Sequence, residues 1–151
     1  MTVAVEIETR IGRRPDDVFT ELAAIERFPE WLIASGIVQV ERLDDGPLAV
    51  GSRSRIGLSA AGRSTVVDAT VTALEPGRAL GLRGRDPDGV TIEIDAELAL
   101  DGLATRLRWS LRIGLPLRYR MFESMVSPQV RRAATLDLEA FKRRLEAVAG
   151  G

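Results

Sequence analysis

Apolar and polar residues alternate with period two through segment after segment of this chain. Val3, Val5, Ile7 and Ile11 alternate with Glu6, Glu8 and Arg10. Val90, Ile92, Ile94, Ala96, Leu98 and Leu100 alternate with Thr91, Glu93, Asp95, Glu97 and Asp101. Leu107, Trp109, Leu111 and Ile113 alternate with Arg106, Arg108, Ser110 and Arg112. Each run predicts a strand with one dry face and one wet face, the pattern of an antiparallel sheet covered on one side.

Turn signals then predict the pairing. A hairpin centred on Asp101-Gly102 sets Glu97 opposite Arg106 and Asp95 opposite Arg108 outside, with Ile94 opposite Trp109 and Ala96 opposite Leu107 inside. A turn at Ala61-Gly62 sets Arg55 opposite Asp68 outside and Ile56 opposite Val67 inside. Glu75-Pro76-Gly77-Arg78 joins a strand over Val66–Leu74 to one over Ala79–Arg85, and Asp86-Pro87-Asp88-Gly89 makes the next bend. The Asp101-Gly102 and Ala61-Gly62 turns are independent, yet both bring opposite charges together on the wet face.

Two regions leave the alternation. Pro15 suits the first position of a helix, with Asp16 and Asp17 in its first turn and Val18, Phe19, Leu22 and Ile25 at helical spacing. A second short helix is expected around Phe28, Trp31 and Leu32, with Pro29 near its start. From about Leu117 to Val148, Phe122, Met125, Val126, Val130, Ala134, Leu138, Phe141, Leu145 and Val148 form one apolar side. Ser127-Pro128 predicts a kink or a fresh N-cap that divides a short helix from a long one. The order is strand, two short helices, six strands, long helix. Seven twisted strands are too many for one helix to lie flat against, so the sheet must curl around it. The expected fold is α+β, a single domain over residues 1–151.

Composition narrows the chemistry. Apolar residues make up 45% and charged residues 28%, ordinary for a folded domain. No apolar run reaches membrane-spanning length, and the N-terminus lacks a basic-then-apolar leader, so a cytoplasmic protein without a stable membrane anchor is expected. Cysteine and histidine are both absent, which removes disulfides, thiolate or imidazole metal sites, and the commonest general base. Twenty of the 21 basic residues are arginine, but 22 acids interleave with them and the net charge is −1. Nucleic acid needs a clustered positive face, so it is not an expected partner. A monomer or weak homodimer is expected.

The chain resembles the START-like superfamily, the polyketide cyclase/dehydrase and lipid-transport group with the helix-grip fold of the birch-pollen allergen. The likeness rests on Pro15-Asp16-Asp17-Val18-Phe19, Ile25-Glu26-Arg27-Phe28-Pro29-Glu30-Trp31, Val50-Gly51-Ser52-Arg53, Leu74-Glu75-Pro76-Gly77-Arg78 and Asp137-Leu138-Glu139-Ala140-Phe141-Lys142, in that order along the whole chain. The resemblance implies a cavity between sheet and helix for lipids, sterols, polyketides or similar molecules. It implies no particular activity.

Strand parity names the positions that would face such a cavity. On the sheet these are Ser54, Ile56, Leu58, Ala69, Val71, Leu82, Ile94, Leu107 and Trp109, together with Val67, Ala73, Leu80, Ile92, Ala96 and Leu111. Phe122 and Met125 would approach from the helix, with Val126, Val130 and Ala134 beyond them. Phe28 and Trp31 are expected near the mouth, where the short helices meet the long one. Tyr119, Arg118, Ser124, Gln129 and Arg132 are the polar groups able to reach inward, and an arginine there would hold a carboxylate by two hydrogen bonds. Such stripes are most often filled cores. Ser54, Ala69, Ala73, Ala96, Ala133 and Ala134, however, are too small to fill a concave sheet.

Asp68, Glu93, Asp95 and Glu97 all point outward by parity, so no catalytic residue, metal site or cofactor is expected. Binding or transport of a small hydrophobic ligand is the first functional expectation. A cyclase or dehydrase acting by positioning, with Tyr119 or an arginine as polar partner, is the second. A protein-interaction module of the chaperone-activator kind is the third.

Overall fold

The structure, a computed structural model, describes residues 2–60 and 62–149. Strand β1 (Thr2–Ile11) is followed by helix α1 (Pro15–Ala23), a 3-10 turn (Ile25–Arg27) and the short helix α2 (Phe28–Trp31). Strands β2 (Ile37–Arg42), β3 (Arg53–Ala60), β4 (Arg63–Glu75), β5 (Ala79–Arg85), β6 (Thr91–Asp101) and β7 (Ala104–Gly114) come next. A 3-10 segment (Leu117–Phe122) leads into the long helix α3 (Glu123–Ala149). The strands form one antiparallel sheet in the order β1-β7-β6-β5-β4-β3-β2.

Alternation sets the two faces as expected. Val3 and Val5 on β1, Val67, Ala69 and Val71 on β4, and Leu107 and Trp109 on β7 are buried. The outer face carries ion pairs instead: Arg108 to Glu6 at 3.2 Å, Arg106 to Glu8 at 3.0 Å, and Arg55 to Asp68 at 3.6 Å. β3 and β4 pair in the expected register, with Arg55 opposite Asp68 and Ile56 opposite Val67. Of the turn between them, Ala61 lies outside the described residues. An extra residue, Thr72, bulges from β4 between Val71 and Ala73, and such bulges bend a strand.

Two expectations fail. The β6–β7 hairpin closes on Gly102 and Leu103, with Asp101 paired to Ala104, rather than on Asp101-Gly102. Gly102 has φ +65°, which suits it to the first turn position, not the second. Partners therefore shift by two residues and the faces are preserved. Glu97 lies opposite Arg108, Asp95 opposite Ser110, Ala96 opposite Trp109 and Ile94 opposite Leu111.

The second concerns Pro128, which neither kinks the C-terminal helix apart nor restarts it. α3 runs through it, and the break falls earlier, between Phe122 and Glu123. Pro128 is only the sixth residue of α3, so its missing N–H costs a single bond, to the Ser124 carbonyl. Both residues are exposed, so water can satisfy that carbonyl.

α3 buries Ala134, Leu138, Phe141 and Leu145. The side chain of Val148 lies outside the described residues. Trp31 from α2 stands at the centre of this packing, its ring 4.4 Å from Phe141, 5.6 Å from Phe28 and 5.7 Å from Trp109, centroid to centroid. The Phe28 and Trp109 pairs are edge-to-face, and such pairs add about 0.5–1.5 kcal/mol each beyond burial. One end of the space between sheet and helix is therefore filled solid. Among the described residues no helix is long and apolar enough to cross a membrane.

Candidate functional site

At the other end the filling stops. Where α3 presents Val126, Gln129, Val130 and Ala133 instead of Leu138 and Phe141, a cavity of about 560 Å³ opens between helix and sheet. Its sheet wall comes from β2 (Ile37), β3 (Ile56, Leu58, Ala60), β4 (Val67, Ala69), β5 (Leu82, Gly84), β6 (Ile92, Ile94) and β7 (Trp109, Leu111, Ile113). The segment after α2 contributes Leu32, Ala34 and Ser35. Among the described residues lining it, Ser35 and Gln129 carry the polar side chains and none is titratable. The chemistry on offer is shape, apolar surface and one indole.

Eleven of the apolar residues expected from the sequence line this cavity: Ile56, Leu58, Val67, Ala69, Leu82, Ile92, Ile94, Trp109, Leu111, Val126 and Val130. Others do not. Phe28 and Trp31 are fully buried in the packed end, not at a mouth, because their rings are the material that closes that end. Val71 and Leu107 are buried there as well. Ser54 is buried beside Ala69 but off the cavity wall.

Phe122 and Met125 are 47% and 63% exposed. Met125 stands about 100° around the helix from Val126, off the inward face. Phe122 ends a 3-10 segment whose tighter winding breaks the phase of α3. Tyr119 sits outside too, between Arg118 and Arg63, whose guanidinium carbons lie 5.1 and 5.8 Å from its ring centre. These cations hold its phenol below the usual range, chiefly through the hydrogen bond with Arg118. Of the polar helical groups, Gln129 alone reaches the cavity.

One feature of the rim escaped the sequence reading. Asp137 on α3 is 2% exposed, and its two oxygens accept the backbone N–H groups of Ala34 and Ser35 at 2.7 and 2.8 Å. Burial pushes this carboxyl up, against the hydrogen bonds from Ser35 and Ala34 that favour its charged form. A signal was present: Asp137 falls between Ala134, Leu138 and Phe141 on the apolar stripe, where an acid needs a partner.

The same loop is tied to the sheet at Gly36, whose carbonyl accepts the Ser59 N–H at 2.8 Å. Gly36 has φ +84°, and a Cβ there would come within 2.5 Å of the Ser59 carbonyl oxygen, so only glycine fits. The strand acids face outward as parity required, with Asp68, Asp95 and Glu97 exposed. Asp95 is nonetheless raised, first by partial burial and then by Glu93 and Glu97 on either side. Among the described residues, no group of three or more acids could hold a metal ion.

A sheet and helix of this arrangement recur in known structures. Zhui aromatase/cyclase from Streptomyces sp. R1128 superposes with a TM-score of 0.77 at 19% identity, over 97% of this chain and 94% of that one. A START superfamily protein from Mycobacterium smegmatis gives 0.75 at 15% identity, over 96% and 98%. The protein TTHA0849 from Thermus thermophilus gives 0.76 at 17% identity, over 96% and 98%. Likeness at these identities establishes the fold alone. No curated protein matches the chain in sequence. The family model described as "Polyketide cyclase / dehydrase and lipid transport" matches residues 2–146, so the chain belongs to that family, within the START/Bet v 1-like superfamily of helix-grip folds.

Proposed function

We propose that this protein binds and carries a small hydrophobic molecule in the cavity beneath the first half of α3. The observation that supports the reading is apolar volume the protein does not fill itself. The cavity of about 560 Å³ opens to solvent, with Ala34, Ala60 and Gln129 of its lining exposed, while its walls are otherwise almost wholly apolar. A concave apolar site of this size falls within the range of small-molecule pockets, about 300–1,000 Å³. The absence of a titratable side chain from its lining favours holding a ligand over acid–base work on it. The ligand lies between Trp109 and Leu111 on one wall and Val126 and Val130 on the other.

Native mass spectrometry of freshly purified protein tests the reading directly, since a bound apolar molecule leaves on denaturation. Titration with fatty acids, sterols and aromatic polyketides, followed by tryptophan fluorescence, should change the Trp109 signal. A Trp31→Phe background isolates it, because Trp31 lies 5.7 Å away. No released molecule and no fluorescence change across that panel would sink the carrier reading. Turnover of an added polyketide would replace it with catalysis by shape.

A further inference from the structure

We propose that Arg42 and Ser54 form an anion site at the inner edge of the cavity, and that the hydrophobic ligand is a carboxylic acid whose carboxylate they hold. The proposal rests on the cavity being a ligand site and goes beyond it by fixing the polar end of the ligand.

Inter-strand pairing places these residues in one row across the inner face of the sheet. Arg42 of β2 lies opposite Ser54 of β3, Ser54 opposite Ala69 of β4, and Ala69 opposite Gly84 of β5. Ala69 and Gly84 line the cavity. Alternation confirms the facing of Ser54, which is buried while Arg53 and Arg55 beside it are exposed. On β2, Val40 packs against the core while Gln39 and Glu41 are exposed, which puts Arg42 on the inner side with Val40. Adjacent strands are about 4.8 Å apart, so along this row Ser54 stands one strand and Arg42 two strands from Ala69. The residues between, Ser54 and Ala69, are small.

The hydrogen-bond inventory is what points to a ligand. Ser54 is 2% exposed, and its Oγ has no partner. Arg42 donates Nη1 to the Gly46 carbonyl at 2.8 Å, which anchors the side chain to the loop after β2. Its Nε and Nη2 are buried and unpartnered. Those two nitrogens are one edge of the guanidinium, with parallel N–H bonds spaced to match the two oxygens of a carboxylate.

The nearby acids are otherwise placed. Glu41 is on the exposed face, and both Asp44 oxygens accept the Arg53 N–H, at 2.9 and 3.1 Å. A buried cationic fork beside a buried unpaired hydroxyl is costly unless an anion completes it. A carboxylate on an apolar body satisfies the fork and the hydroxyl together while its tail fills the cavity.

The test compares dodecanoic acid with 1-dodecanol by titration calorimetry at neutral pH, in the wild type and in Arg42→Met, Arg42→Lys and Ser54→Ala. A charge-assisted pair predicts that the wild type prefers the acid by about tenfold or more. Arg42→Met should bring acid and alcohol to within about twofold of each other, chiefly by weakening the acid, since the alcohol makes no ion pair. Arg42→Lys keeps the charge without the fork and should retain part of the preference, and Ser54→Ala should lose part of it. If Arg42→Met does not fold, the lysine and alanine variants decide: an undiminished preference in both overturns the proposal. Equal affinity for acid and alcohol in the wild type overturns the anion site but leaves the cavity reading standing. Binding of neither overturns both.

Discussion

The carboxylate of Asp137, at the middle of α3, accepts the backbone N–H of Ser35 at 2.8 Å, joining residues 102 positions apart. With the parallel bond from Ala34, it fastens the loop that forms one rim of the cavity to the helix that roofs it. The position of this rim is therefore tied to a buried acid.

That acid predicts a pH dependence. Burial raises the Asp137 carboxyl in the folded state above its ordinary 3.8, so the folded protein keeps this proton to higher pH than the unfolded chain does. Its contribution to stability is full below 3.8 and is lost as pH rises through the raised folded value. Asp137→Asn cannot ionise and should remove this slope. It also leaves one loop N–H without an acceptor, at a cost of about 1–3 kcal/mol. Urea midpoints measured from acidic to neutral pH should converge between wild type and variant as pH rises. Parallel curves would show that Asp137 does not titrate differently in the two states.

The corrected hairpin register predicts which charges couple. Arg108 lies 3.2 Å from Glu6 and 3.8 Å from Glu97, whereas Asp95 faces Ser110. Double-mutant cycles at low salt should give coupling of up to about 1 kcal/mol for Arg108 with Glu6 and with Glu97, and none with Asp95. Coupling to Asp95 instead would restore the register centred on Asp101-Gly102.

Filled and open ends of the interior should respond differently to a change in size. Ala69→Phe directs a ring into the cavity and should weaken ligand binding while costing less than the 1–3 kcal/mol or so typical of overpacking. Leu107→Ala removes a fully buried side chain at the packed end and should cost about 2–5 kcal/mol. Thermal unfolding ranks the two. An Ala69→Phe variant as unstable as Leu107→Ala would mean that the cavity wall cannot accept added volume.

Tyr119 gives a spectroscopic check on the surface cluster. It is the only tyrosine in the chain, so phenolate absorbance reports it alone. Its phenol should ionise at lower pH than a free tyrosine, and Arg118→Met, which removes the largest cause, should move the titration upward. An unshifted titration in the variant would place the Arg118 side chain away from the ring.

The local pattern of the sequence determined the elements, the two faces of the sheet and the chain order. Each depends on neighbours within a few residues: period-two alternation in β6 and β7, Pro15 at the start of α1, and glycine at Gly77 and Gly89 where the turns need positive φ. Nine sheet residues of the cavity wall were legible for the same reason, because parity alone fixes which face a strand residue occupies. Parity cannot say how far along a strand the filling stops. That was decided by Trp31 docking between Trp109 and Phe141, contacts that join three distant segments and turn Phe28, Val71 and Leu107 into packed core. The two-residue shift of the hairpin was equally invisible, since it preserves every side chain's face. Asp137 bound to Ser35, and Arg42 set two strands from Ala69, exist only once the sheet curls and the helix closes over it. Their partners are chosen by distance in space, which a one-dimensional pattern does not carry.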